Sequence, residues 1–155
     1  MIRVLGWATA LALLAPAAPA SAAGTTVNLD MSNLRFCRQA PCPPSAQGYL
    51  RNPTSGPMPG TDNPAAIIDV PSGSTVVWTY RDSMCDPFPM CPGHMIMIEN
   101  GTPDGQKVGM AQARKGPTTI SYQVTQPPGT LIHYFCNINH HDAFGQTGIL
   151  RVTGY

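Results

Sequence analysis

Seventeen prolines and fifteen glycines, distributed along the whole chain, leave no stretch in which a long helix can form. What lies between them is a series of short runs rich in Val, Ile, Thr and aromatic residues, the composition of strands. The pattern predicts strands at 26–30, 65–70, 75–80, 95–99, 118–124, 130–136 and 147–153. Residues 109–115 carry the one helical-turn signal, and no internal repeat is present. Many short antiparallel strands with closely spaced turns predict an all-β protein folded as a two-sheet sandwich.

The first 23 residues stand apart from this pattern. Met1-Ile2-Arg3 is a short positive start, Val4 to Ala15 is apolar, and Ala20-Ser21-Ala22-Ala23 offers small residues for cleavage. The apolar stretch is shorter than a bilayer needs and runs into Pro16 and Pro19. A signal peptide at 1–23 and one domain at 24–155 are expected, with the mature protein periplasmic, cell-surface or secreted and without a membrane span. Loss of Arg3 takes the formal charge from +1 to zero. With no block of like charge, nothing favours nucleic acid or an anionic membrane surface as a partner.

Export makes disulfides permissible, and the cysteine count is informative. There are five, an odd number. Cys37 and Cys42 are close in sequence, as are Cys85 and Cys91, so the simplest pairing is Cys37–Cys42 and Cys85–Cys91. Crossed pairings stay open. Cys136 is then left over, and in an oxidising compartment a surplus thiol pairs between molecules, reacts, or binds a metal. Residues 37–64 form a Pro/Gly-rich insertion, long for a structureless loop, and are expected to pack over one sheet or cap an end.

Cys136 sits in the run His133-Tyr-Phe-Cys136-Asn-Ile-Asn-His140-His141-Asp-Ala-Phe-Gly145-Gln146-Thr-Gly148. A strand delivers the thiol, a tight loop carries an imidazole, and the next strand starts at Gln146. A thiolate, two imidazoles and a weak axial donor are what a blue-copper centre requires. His140 and His141 compete for one imidazole position, and the adjacent ring left over is a candidate for an exposed exit for electrons. Strand alternation puts Ile132, Tyr134 and Cys136 on one face and His133 on the other, so His133 is read as solvated or locally bonded. The second imidazole must come from far away in sequence. His94, in Cys91-Pro-Gly-His94-Met-Ile-Met-Ile98, is the sole distant histidine.

Those residues bring a family into view. Ile68-Asp-Val70-Pro-Ser-Gly73-Ser-Thr-Val76-Val-Trp78 resembles the second and third strands of cupredoxins, and His94 sits where these proteins place their first histidine ligand. Tyr134-Phe-Cys136 through Gln146-Thr-Gly148-Ile-Leu-Arg-Val152 resembles their ligand loop and last strand. The spacing Cys-x4-His-x4-Gln is similar to that of phytocyanins, and Gln in place of the more common Met is stellacyanin-like. The resemblance covers residues 65–152. It implies a Greek-key β-sandwich with one type 1 copper ion, Cys136, His94 and His141 equatorial and Gln146 axial. His141 is preferred over His140 because it fits that loop length. Many cupredoxins follow the first histidine with an Asn that braces the ligand loop; here Met95 stands there.

The expected function is therefore that of an exported one-electron carrier, not an enzyme, working as a monomer with a redox partner protein. With four histidines in all and Asn137 after Cys136, the chain cannot build the trinuclear cluster of a multicopper oxidase. Met84, Met90, Met95 and Met97 surround His94 in sequence and motivate an alternative, an extracytoplasmic copper chaperone or storage protein meeting a copper-handling partner. Met as core filler is the competing reading, and alternation is expected to send Met95 and Met97 to the face opposite Ile96 and Ile98. Zinc also accepts one thiolate and two imidazoles, and a metal-free adhesion domain would keep the same sandwich.

Overall fold

The computed structural model describes residues 24–81, 92–113 and 116–154. Among these, the strands in chain order are β1 Thr26–Ser32, β2 Arg35–Cys37, β3 Arg51–Asn52, β4 Gly56–Pro57, β5 Ile67–Pro71, β6 Thr75–Tyr80, β7 His94–Ile98, β8 Gln106–Ala111, β9 Thr119–Gln123, β10 Leu131–Phe135 and β11 Thr147–Thr153. A four-stranded sheet runs β2-β1-β6-β9 and a five-stranded sheet runs β5-β11-β10-β7-β8, with β3-β4 as a small separate hairpin. The chain crosses between the two main sheets from β5 to β6, from β6 to β7, from β8 to β9 and from β9 to β10. The result is the Greek-key β-sandwich.

Alternation writes the core directly. Along β6, Val76, Trp78 and Tyr80 are buried while Thr75, Val77 and Thr79 are not fully so. Along β10, Ile132 and Tyr134 point into the same core as Leu29, Ile96 and Leu150. Tyr134 is its centre, with its ring 5.2 Å from that of Trp78 and 4.9 Å from that of Phe36. Opposite it on β11 is Gly148, where an added Cβ would fall onto the Tyr134 ring and hydroxyl. This packing fixes the end of β10, and with it the position of Cys136.

Three expectations are corrected. The strands are not all antiparallel: β1 pairs β6 in parallel, as does β5 with β11. Long connections separate both pairs, so no hairpin forces them antiparallel. Residues 109–111 are not helical but the end of β8, paired with β7 through His94↔Ala111, Met95↔Met110 and Ile96↔Gly109. Cross-strand pairing overrides local propensity here, and Gly109 lets β8 approach Ile120 closely: an added Cβ would lie 3.0 Å from its Cγ2. Met95 and Met97 do not simply share one face, because a register shift falls between Ile96 and Met97.

The segment that follows Cys37 carries regular structure of its own. It holds β3, β4 and short 3-10 turns at Pro44–Ala46 and Pro64–Ala66. The Cys37–Cys42 disulfide is present, while the Cys85–Cys91 pairing and the proposed signal peptide lie outside the described residues. Asn63 donates to the carbonyls of Ser45 and Gln47, tying the two ends of the segment together. Gly48 and Tyr49 hydrogen-bond to Thr147, and Tyr49 packs its ring edge against His133, on the face of the five-stranded sheet away from the core.

Because the Tyr134 ring fills the space above Gly148, Gly148→Ala is expected to cost about 1–3 kcal/mol by overpacking. Denaturant unfolding measures this as a lower midpoint at unchanged slope; a midpoint equal to wild type would contradict the packing.

Candidate metal centre

Gly93 adopts φ +79°, and a side chain there would run into the carbonyl of Ala111 and Cγ of Gln112. Only glycine accepts that conformation without strain, and it turns the chain into β7 with His94 buried at its first residue. Cys136 follows the last residue of β10 and is fully buried. Beyond it the chain reverses through Asn139 and His140, both left-handed at φ 48° and 58°. His140 is thereby turned outward and exposed, and His141 comes back toward Cys136.

Backbone bonds close the loop. The amide of Cys136 donates to the Gln146 carbonyl (3.1 Å), that of Gln146 to the His141 carbonyl (2.9 Å), and that of Asp142 to the Cys136 carbonyl (2.9 Å). Gly145, at φ +98°, makes the last turn beneath Arg35, whose guanidinium donates to the Phe144 carbonyl at 2.7 Å.

This geometry gathers donors that are far apart in the chain. One ligand atom each from His94, Cys136 and His141 lies within 4.8 Å of the others. The Cys136 Sγ is 3.5 Å from Nδ1 of His141 and accepts the Met95 amide at 3.3 Å. Among the described cysteines Cys136 is the free one. Burial pushes its thiol up to about 11, against the lowering effect of the Met95 and Ile138 amides and with a further raising contribution from the Asp142 charge.

Of the remaining sequence candidates, the structure brings Gln146 to the loop and leaves His133 away from it. Gln146 is fully buried, and neither its amide oxygen nor its nitrogen has a hydrogen-bond partner among the described residues. A buried amide left unsatisfied is costly, so such a group points to a function. His133 bonds instead to Asp62, with Nε2 3.0 Å from each carboxylate oxygen. Met97 is buried and Met95 is half-buried against the core, whereas Met84 and Met90 lie outside the described residues.

One group at the site gave no sequence signal. Arg51, on β3 of the insertion, is buried with its guanidinium 3.5 Å above the Phe135 ring. It donates to Glu99 Oε1 at 2.6 Å, to Asp142 Oδ2 at 2.5 Å and to the Pro103 carbonyl. Tyr49 adds a hydroxyl bond to the same Glu99 oxygen at 3.0 Å, and burial beside that carboxylate raises its phenol far above the usual range. An arginine in a Pro/Gly-rich loop reads as solvated; only the hairpin-like Asn52-Pro-Thr-Ser-Gly56 after it hints at order.

A thiol and two imidazoles at this separation are a donor set for a thiophilic transition metal, copper or zinc. The unsatisfied Gln146 amide and the unpaired buried thiol fit such an ion.

No protein-family model and no curated protein matches the chain. Solved structures with a likeness include rusticyanin from Thiobacillus ferrooxidans, 22% identical over 84% of this chain and 79% of that one, at TM-score 0.43. A proline-to-glycine mutant of amicyanin in a reduced Cu(I) form is 24% identical over 56% of this chain and 68% of that one, at TM-score 0.38. A methionine-to-alanine mutant of amicyanin in the Cu(I) state is 16% identical over 82% and 81%, at TM-score 0.44. These are distant likenesses, and the architecture described above rests on the strand registers themselves.

Two outcomes follow from the electrostatics. The folded thiol value lies above the 9.0 of an unburied cysteine, so the unfolded chain releases its proton first. Stability of the metal-free protein from this group is thus intact below pH about 9 and falls as pH rises through the window to about 11. A thiolate ultraviolet titration should show a midpoint near 11; a midpoint at or below 9 would contradict the burial. Arg51→Met strands the buried Asp142 carboxylate and takes the cation from the part-buried Glu99, and is expected to destabilise by about 3–5 kcal/mol in denaturant unfolding.

Proposed function

We propose that the chain is an exported member of the cupredoxin family that carries one electron at a time on a single copper ion. His94, Cys136 and His141 would hold the metal equatorially, with the Gln146 amide oxygen as the weak axial donor in the stellacyanin manner. The observation that carries this reading is the convergence of the three donor atoms within 4.8 Å from segments more than forty residues apart. Bound copper would supply the one-electron change between Cu(II) and Cu(I).

The chain's own residues do the rest. The Met95 amide on Cys136 Sγ stabilises the thiolate form that the metal needs, and loss of the thiol proton accompanies binding. His94 is shielded, while His141 is half-buried and lies nearest to solvent among the three donors. It is the natural point of contact for a redox partner protein. No substrate is transformed, and the mature chain works as a monomer beginning after residue 23. The chaperone or storage alternative rests on methionines of which Met95 and Met97 serve as packing, and no observation favours it over the carrier.

Copper(II)-loaded protein should show an intense visible thiolate-to-copper band and a narrow copper hyperfine splitting, both lost in Cys136→Ser and His94→Ala. Their absence from the wild type would remove the proposal. Gln146→Met should raise the reduction potential, because a thioether favours Cu(I) more than an amide oxygen does; an unchanged or lower potential would exclude Gln146 as the axial group. Mass measurement of the secreted chain should give a start after Ala23, and an intact N-terminus would exclude the signal peptide.

A further inference from the structure

Two acidic side chains flank the ligand-bearing segments. Asp142 directly follows His141, and Glu99 directly follows β7, the strand that opens with His94. Both are held by Arg51, whose side chain is 1% exposed. Asp142 is equally buried, and its Oδ2 rests on Arg51 while its Oδ1 has no hydrogen-bond partner among the described residues. The retention of this carboxylate in the interior therefore depends on a single ion pair. A buried carboxylate does not stay buried without its cation.

We propose that Arg51 is a positioning residue for the metal ligands, a brace supplied by the insertion that fixes the ligand loop at His141. This rests on the reading of the site as a copper centre. The backbone of Asp142 is bonded to the Cys136 carbonyl, and its side chain is bonded to Arg51. Arg51 in turn is fixed from three other directions, by the Phe135 ring, by Glu99 and by the Pro103 carbonyl. When Arg51 lets go, the Asp142 carboxylate moves toward water and draws the preceding residue with it. His141 then leaves its place 3.5 Å from the thiol. The planar fork of arginine meets several acceptors at once, which a lysine ammonium on its flexible stem cannot reproduce.

Three variants of the full mature chain test this: Arg51→Lys, Asp142→Asn and Glu99→Gln. Amide exchange across residues 137–146 is read on metal-free protein, copper(II) affinity by competition with a chelator, and stability by thermal unfolding. Arg51→Lys and Asp142→Asn should speed loop exchange about tenfold or more, with β1 and β6 unchanged, and weaken copper(II) about 10- to 100-fold. Glu99→Gln cuts the other arm of the brace, so it should lower the unfolding temperature while both loop readouts stay within about twofold. The inference is overturned if Arg51→Lys and Asp142→Asn lower only the unfolding temperature, as a purely structural ion pair would. Equal loss of affinity in all three variants also overturns it, since that marks general loosening. Asp142→Asn is nearly isosteric and carries the test should Arg51→Lys not fold. Wild type that lacks the thiolate-to-copper band counts against the copper reading alone, and loop exchange in metal-free protein still decides the role of Arg51.

Discussion

The closure of the loop between β10 and β11 is the constraint on which the site depends. Three backbone bonds, from Cys136 to Gln146, Gln146 to His141 and Asp142 to Cys136, convert the excursion over residues 136–146 into a small rigid unit. That unit can exist only because the sheet behind it is fixed: Tyr134 is clamped between Trp78 and Phe36, and Gly148 leaves it room. Core packing thus sets the end of β10, the end of β10 sets the thiol, and the loop sets one imidazole against that thiol. His94 arrives at the first residue of the neighbouring strand β7, where the left-handed Gly93 turns the chain into it.

The site is expensive in the free energy of folding. It gathers an unpaired thiol, an unsatisfied amide and a nearby carboxylate in a region sheltered from water. The amide and the carboxylate each disfavour burial, and the thiol does so once it is ionised. A fold that tolerates all three has compensation elsewhere, here a continuous apolar core between the two sheets and the ion-paired Arg51. Consistency fails locally where function requires it, as expected for a binding centre.

Much of this was legible in the sequence because it is carried by local patterns. Period-two alternation in Val76-Val-Trp78 and Ile132-His-Tyr134 reveals strands and their buried faces. The spacing of Cys136, His141 and Gln146 is a property of one loop, and Cys37–Cys42 is a contact between near neighbours. What was not legible depends on distant partners. β8 contains Gly109 and a Met-Ala pair that suit a turn, and it is a strand because β7 offers it an edge. The parallel pairing of β1 with β6 has no local signature at all. Arg51 is the clearest case: its burial follows from Phe135, Glu99 and Asp142, residues up to 91 positions away.

The central claim is that one thiolate and two imidazoles bind the same ion. X-ray absorption at the copper edge of the loaded mature protein reports directly on the atoms around the metal. The account predicts a single short sulfur shell together with two imidazole nitrogens. A shell of oxygen and nitrogen alone, with no sulfur, would contradict it.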